Sequence, residues 1–229
     1  NLRSAPSYIR EKELGGYFME ISGWERAHGY ASNEATLLEK YADRVPVREN
    51  EWDNRHFWRV SNAEHLAMSD NAGMINLSHF AVYDISGADA ATLMEYACVA
   101  KVAGNTPIGK GIYTHFLDRV GGVRSDLTIL RLAENRFRLI DGADAGHRDY
   151  VWLSRLAEDN GWDVFIEDRS DHMACLGLWG PNARRILEAV ADDPSALDPK
   201  HFPFATTKEI SIQGIPVLAL DRKSTRLNS

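Results

Sequence analysis

The stretch 107-PIGKGIYTHFLDRVGGVRSDLTIL-130 restricts the fold more than any other part of the chain. Gly111–Leu117 and Asp126–Leu130 are rich in β-branched and aromatic residues, which suit a pleated, half-buried surface. Between them, Asp118-Arg119-Val120-Gly121-Gly122 has the composition of a tight loop. The pattern predicts a β-hairpin. It also excludes a phosphate cradle, although Gly109-Lys110-Gly111 invites that thought. A P-loop places its lysine after the second glycine of GxxxxGK[ST] and continues as a helix. A dinucleotide fingerprint needs GxGxxG at a strand-to-helix turn. Here the glycines lead into a strand.

The rest of the chain alternates between the two periodicities. NAEHLAMSDNAG places Ala63, Leu66 and Ala67 at helical spacing, with Gly73 as a stop. MINLSHFAVYDIS reads as one strand ending at Gly87. ADAATLMEYACVA is a helix with Leu93, Met94, Ala97 and Cys98 on one side. Residues 136-RFRLIDG-142 and 162-WDVFIED-168 read as strands, and a helix is expected over 144–158. HMACLGLWG is expected as a buried strand, PNARRILEAV as a helix with proline in its first turn, and KEISIQGIPVLAL as a hairpin turning at Gln213-Gly214. Strands and helices mixed in this order predict an α+β fold with mixed or antiparallel sheets and packed helices, not a doubly wound sheet. Residues 1–60 lack clean periodicity but carry Tyr17, Phe18, Trp24, Tyr30, Trp52 and Trp58. Rings at that density need a surface to cover, so the segment reads as a wrapping arm or a substrate-lining segment.

Charge and composition narrow the function classes. The net charge of -7 argues against a nucleic-acid surface, which needs clustered Lys and Arg. No apolar run approaches the ~20 residues that span a bilayer, and the charged opening NLRSAPSYIREKE is no signal peptide. Cys98 and Cys175 lie far apart in apolar segments and read as free buried thiols of a reducing, cytoplasmic compartment. No CxxC, HExxH or close Cys/His cluster occurs, so no metal site is expected. Of the eight histidines, none, including His79, His115, His147 and His172, shows nucleophile-partner spacing.

The string GKGIYTHFLDRVGGVRSDLTILRLAENRFRLIDG resembles the hairpin of the folate-binding domain in the glycine-cleavage T-protein (aminomethyltransferase) family. SHFAVYDISGADA is similar to that family's first strand and helix, LGLWGPNARRILEAV to its Gly-Pro helix entry, and FPFATTKEISIQGIPVLAL to the hairpin before its second half. The opening REKELGGYFMEISGWERAHGYASN resembles the segment found where this domain follows a flavoprotein amine oxidase module, as in dimethylglycine oxidase and sarcosine dehydrogenase. The resemblance implies an organisation. Residues 1–60 are the connecting segment, 61–220 the first part of a truncated folate-binding domain, and 221–229 a tail foreign to the protein. Both ends read as cut, with the FAD-bearing module preceding Asn1.

It also implies a division of labour. The flavin module oxidises a small N-methyl amine substrate, and the domain seen here holds the tetrahydrofolate that captures the one-carbon unit. The parent is then an oxidoreductase, and the fragment alone is expected to be inactive. Tyr113 and Thr114 match the family's Tyr-Thr, so the resemblance places folate contacts at Tyr113, Thr114, Asp118 and Asp126. Strand packing for Tyr113 and hairpin structure for Asp126 stand as the alternatives.

The sequence departs from the family at several positions. Counting from Cys98 puts Lys101 at the family's carboxylate position; counting back from Pro107 puts Ala103 there, next to Asn105. Lys101 is therefore either an active-site lysine with altered chemistry or a solvated loop residue. Asp118 replaces the usual Asn, Asn76 replaces an Asp, and the Tyr-x-Gly-Glu stretch expected after Leu220 gives way to DRKSTRLNS. These departures keep two other readings open. One is a packing domain that has lost folate chemistry. The other is a flavin-independent, tetrahydrofolate-dependent demethylase.

Overall fold

The computed structural model describes residues 2–46 and 58–222. Trp52 and most of the DRKSTRLNS tail lie outside the described residues. In chain order the elements are β1 (Arg3–Ser4), α1 (Tyr8–Glu13), β2 (Gly16–Ile21), β3 (Trp24–Tyr30), α2 (Ala31–Lys40), α3 (Trp58–Asp70), β4 (Gly73–Asn76), β5 (Ala81–Ser86) and α4 (Ala90–Ala97). They continue as β6 (Gly111–Leu117), β7 (Val123–Ala133), β8 (Arg136–Asp141), α5 (Gly146–Asn160), β9 (Phe165–Asp168), β10 (Leu176–Trp179), α6 (Ala183–Val190), β11 (Thr207–Ile212) and β12 (Ile215–Leu220). The described chain is α+β, and all its strand pairs are antiparallel except β1 with β3. No helix among the described residues is long and apolar enough to cross a membrane.

The chain divides into two compact units. The first comprises the residues up to His79 with Ala174–Ile186. In it β2 and β3 form a hairpin that sequence periodicity did not disclose, and β1 adds a short parallel edge. Some of the aromatic residues pack within this unit. Trp24 is buried under the Arg3 guanidinium, and Phe18 packs on Tyr8 at 4.7 Å between ring centroids. Ala63, Leu66 and Ala67 of α3 meet Leu37, Leu38 and Tyr41 at the end of α2, as helical spacing predicts. The segment MINLSHFAVYDIS is two strands, not one: β4 pairs with β10 in this unit, whereas β5 enters a sheet of the other. HMACLGLWG is not a buried strand either. Only Leu176–Trp179 is extended, and Leu176 is 55% exposed because the two-stranded β4–β10 ribbon leaves that side chain uncovered.

The second unit, Phe80–Met173 with the residues from Leu187 on, is built on a five-stranded sheet of order β6-β7-β8-β5-β9. Residues 162–164, expected in a strand, precede β9 instead, with Asp163 donating its N–H to the Asp89 carboxylate. Period-two alternation aims Leu127 and Ile129 of β7, Phe137 and Leu139 of β8, and Tyr83 and Ile85 of β5 into one core. Helix α4 closes it with Ala90, Leu93, Met94 and Ala97, spaced i, i+3, i+4, i+7. Helix α5 adds Leu153 and stops at Gly161, whose left-handed φ of 66° ends the helix. A smaller core of Leu197, Phe202 and Ile210 supports the β11–β12 hairpin. Its Gln213-Gly214 turn has φ of 51° and 76°, as a two-residue hairpin loop requires.

Candidate functional site

The predicted hairpin is β6–β7, with Tyr113 opposite Thr128 and His115 opposite Asp126. Alternation sends Thr114 and Phe116 to the core and leaves Tyr113 half exposed on the other face. The phenol of Tyr113 donates a 2.6 Å hydrogen bond to Asp126 Oδ2, and its ring meets His115 edge-on at 5.3 Å. The bond to Asp126, with some desolvation and the carboxylate's charge, pushes the phenol above its ordinary range. The pair therefore presents a neutral hydroxyl and a carboxylate acceptor, not a phenolate.

A shallow groove of about 70 Å³ opens beside this pair, lined by Gly111, Ile112, Tyr113, Thr128, Phe204 and Leu220. Backbone bonding fixes its lip. Gly111 N–H donates to the Ala205 carbonyl at 2.8 Å, Thr207 N–H to Gly109 at 2.7 Å, and the Lys110 ammonium to the Phe204 carbonyl at 3.2 Å. Gly111 lets the wall close up: a Cβ would stand 2.9 Å from Leu220 and 3.0 Å from Leu130 side-chain carbons, which would have to shift. Ala205 holds a left-handed φ of 61°, an uncommon conformation for a residue with a Cβ. The Arg222 guanidinium lies over the Tyr113 ring at 5.3 Å, and Asp221 also reaches the groove. Arg222 also donates to Thr128 Oγ1 at 3.1 Å, so both residues form part of the groove wall.

The other expected residues are placed elsewhere. Thr114 is 2% exposed, and its hydroxyl oxygen accepts the Ala100 N–H at 3.1 Å. Asp118 is engaged in the hairpin turn, accepting from Val120 and Gly122 N–H at 2.9 and 2.7 Å. It stands five residues from Tyr113, about 17 Å of extended strand. Lys101 sits in the loop after α4 with a 74% exposed side chain 4.0 Å from the Glu95 carboxylate, and it does not line the groove. Ala103 and Asn105 share that loop, where the Ala103 and Gly104 N–H groups both donate to Glu95. Asn76 donates to Glu11 at 2.8 Å and Ser7 at 2.9 Å within the first unit.

Sequence reasoning missed three contributors. Phe204 and Leu220 reach the groove through the chain's return after α6, which no local pattern signals. Arg131 donates to the Ala103 and Thr106 carbonyls and ties down the loop carrying Lys101. A lone arginine inside LTILRLA was the available signal, because a charge in an apolar strand needs partners.

No group of three or more His, Cys, Asp or Glu among the described residues is arranged to hold a metal ion. Cys98 and Cys175 are unpaired with each other and partly buried, and burial pushes both thiols up. His79 is lowered to about 4 by burial and by Arg26, which leaves it neutral at physiological pH.

The GCVT N-terminal domain model matches residues 7–222. Mitochondrial dimethylglycine dehydrogenase of Rattus norvegicus is 30% identical over 200 residues, 87% of this chain and 22% of its own length. The 4-methylaminobutanoate oxidase (formaldehyde-forming) of Paenarthrobacter nicotinovorans is 28% identical over 211 residues, 92% of this chain and 24% of its own. The chain thus spans under a quarter of either relative. Among solved structures, glycine cleavage system aminomethyltransferase T of Bartonella henselae superposes with a TM-score of 0.70 at 23% identity, over 92% of this chain and 48% of that one.

Proposed function

The chain belongs to the GCVT N-terminal domain family, and from that premise we propose that it is the one-carbon-handling, tetrahydrofolate-binding domain of an enzyme that oxidises small N-methyl amines. One observation carries the proposal: two curated relatives that align with 87% and 92% of the chain are named for oxidising dimethylglycine and 4-methylaminobutanoate. In the proposed parent, a flavoprotein module of the same polypeptide binds FAD and oxidises the amine. Residues 1–60 connect that module to the folate-binding part, 61–220.

The ring faces at the mouth of the groove offer a platform for the flat end of a reduced folate. Tyr113 and Phe204 are each about half exposed there, at 50% and 52%. Flat ring systems stack on such faces; the groove itself is only about 70 Å³, below the ~300–1,000 Å³ of sites that enclose a small molecule, so the ring would lie across its mouth. Asp126 provides an acceptor for the N–H groups at a pterin edge, and its bond to Tyr113 fixes the orientation of both. When bound, tetrahydrofolate supplies the nitrogen nucleophile that takes up the one-carbon unit. Thr114 and Asp118 contribute by holding the loop and the hairpin that frame the groove. We assign Lys101 the attraction of an anionic group of substrate or folate, since an exposed ammonium repels a cationic one.

A second reading is favoured by the name of the oxidase relative, which releases formaldehyde. In that case the domain packs beside the oxidase without folate chemistry. Calorimetric titration of the chain with 5-formyltetrahydrofolate separates the two. Saturable binding that Tyr113→Ala weakens at least tenfold supports the folate reading. No heat from a chain with native circular dichroism supports the packing reading.

A further inference from the structure

The buried face of the five-stranded sheet ends in acid. On β8 the inward alternation runs Phe137, Leu139, Asp141, and on β7 it runs Ser125, Leu127, Ile129. Asp141 is 2% exposed and Asp149, in the first turn of α5, is fully buried. Two carboxyl groups in contact cannot both ionise cheaply in such a place.

Their partners show how the charge is divided. Asp149 accepts hydrogen bonds from the Ser125 hydroxyl and from Arg148 Nε at 3.2 Å, and Arg124 Nη2 stands 3.8 Å away. Asp141 Oδ1 accepts the Gly142 N–H at 2.8 Å, but Oδ2 is buried with no donor to meet it. A buried carboxylate oxygen without a donor is costly, whereas a carboxylic acid hydroxyl needs only an acceptor. Asp149 is the neighbouring carboxyl group that acts on Asp141.

We propose that Asp141 is held as a neutral acid whose Oδ2 hydroxyl donates to Asp149, and that this shared proton makes the junction of β8 and α5 a pH-sensitive latch. Every element packed around it supplies charged or titratable groups. Helix α5 brings Arg148, Asp149 and Tyr150, and the turn before it Asp144; β7 brings Arg124, β5 Tyr83 and β9 Asp168. Both arginines make their ion pairs with Asp149, and Arg148 reaches Asp141 only through its charge. Tyr83, pushed up by burial and by the three surrounding aspartates, stays neutral throughout.

Burial first, and the charge of Asp149 next, raise Asp141 to about 7. The unfolded chain releases the same proton near pH 4. Between those values the folded state binds more protons than the unfolded state, so this contribution falls as pH rises through the interval and is constant above it. The latch lies behind the candidate site: Ser125 faces Asp149, while its neighbour Asp126 holds Tyr113 on the opposite side of β7.

The test is carbon-13 NMR of the 229-residue chain with aspartate alone carboxyl-labelled. One Asp carbon is expected to titrate with a midpoint near 7, and its resonance is expected to vanish in Asp141→Asn. If every Asp carbon of the folded wild type titrates below about pH 5, the proposal is overturned. Urea denaturation gives the second readout. Asp141→Asn keeps a donor toward Asp149 without a titrating proton. The unfolding constant of the wild type, relative to that variant, should rise by up to about tenfold per pH unit between about 4 and 7. A ratio that stays flat across this interval overturns the proposal equally.

Discussion

Tyr113 and Asp126 are joined diagonally across the β6–β7 ladder, phenol to carboxylate at 2.6 Å, on the face of the sheet turned away from the core. The bond ties two exposed groups, so it organises the groove more than it stabilises the fold. Tyr113→Phe is therefore expected to change unfolding free energy by less than ~0.5 kcal/mol, as surface substitutions do. Its affinity for 5-formyltetrahydrofolate should fall severalfold. Urea denaturation and calorimetry on the same preparation check the two halves.

Thr114 behaves in the opposite way. Its hydroxyl oxygen, inside the core, meets the Ala100 N–H and fixes the start of the loop that carries Lys101. Thr114→Val keeps the shape and removes the acceptor, leaving a poorly solvated N–H, which costs ~1–3 kcal/mol. Thr114→Ser should restore most of that loss in chemical denaturation.

Arg131 holds the same loop from the other side through the Ala103 and Thr106 carbonyls, the latter at 2.7 Å. Arg131→Ala should lower stability by ~1–3 kcal/mol. It should also speed amide hydrogen exchange across 101–106 while leaving β8 protected. Unchanged exchange in the loop would show that these bonds do not restrain it.

Asp84 and Arg138 are direct cross-strand partners on β5 and β8, bonded twice at 2.7 and 2.8 Å. Burial works to raise the Asp84 carboxyl, but the Arg138 bonds and the charges of Arg138, Arg136 and Arg169 bring it below its ordinary range. Asp84→Ala leaves a largely buried guanidinium unpaired, at a cost of ~3–5 kcal/mol. Because the folded value is depressed, the wild-type advantage is complete above about pH 4 and is lost as pH falls through the folded value. Denaturation curves at pH 7 and pH 3 should show the gap between wild type and variant narrowing in acid. A constant gap would mean that Asp84 stays charged there.

Much of the second unit was legible from local pattern. The β6–β7 hairpin, the buried face of α4 and the Gln213-Gly214 turn depend on alternation, helical spacing and left-handed φ, which neighbouring residues specify. The first unit was read less well. The β2–β3 hairpin carries no clear alternation, because each strand shows only fragments of a buried face. MINLSHFAVYDIS looks continuous in hydropathy, yet its halves find different partners.

The candidate site divides along the same line. Sequence by itself determined that Tyr113 would stand on a strand and that Asp126 would follow the turn, because period two and turn chemistry are local properties. Tertiary structure alone decided that Thr114 faces inward onto Ala100, that Phe204 and Leu220 return to wall the groove, and that Asp141 meets Asp149 without a donor of its own. Those relationships join residues separated by up to about a hundred positions. Strand pairing and helix packing set such distances, and the composition of any short window does not encode them.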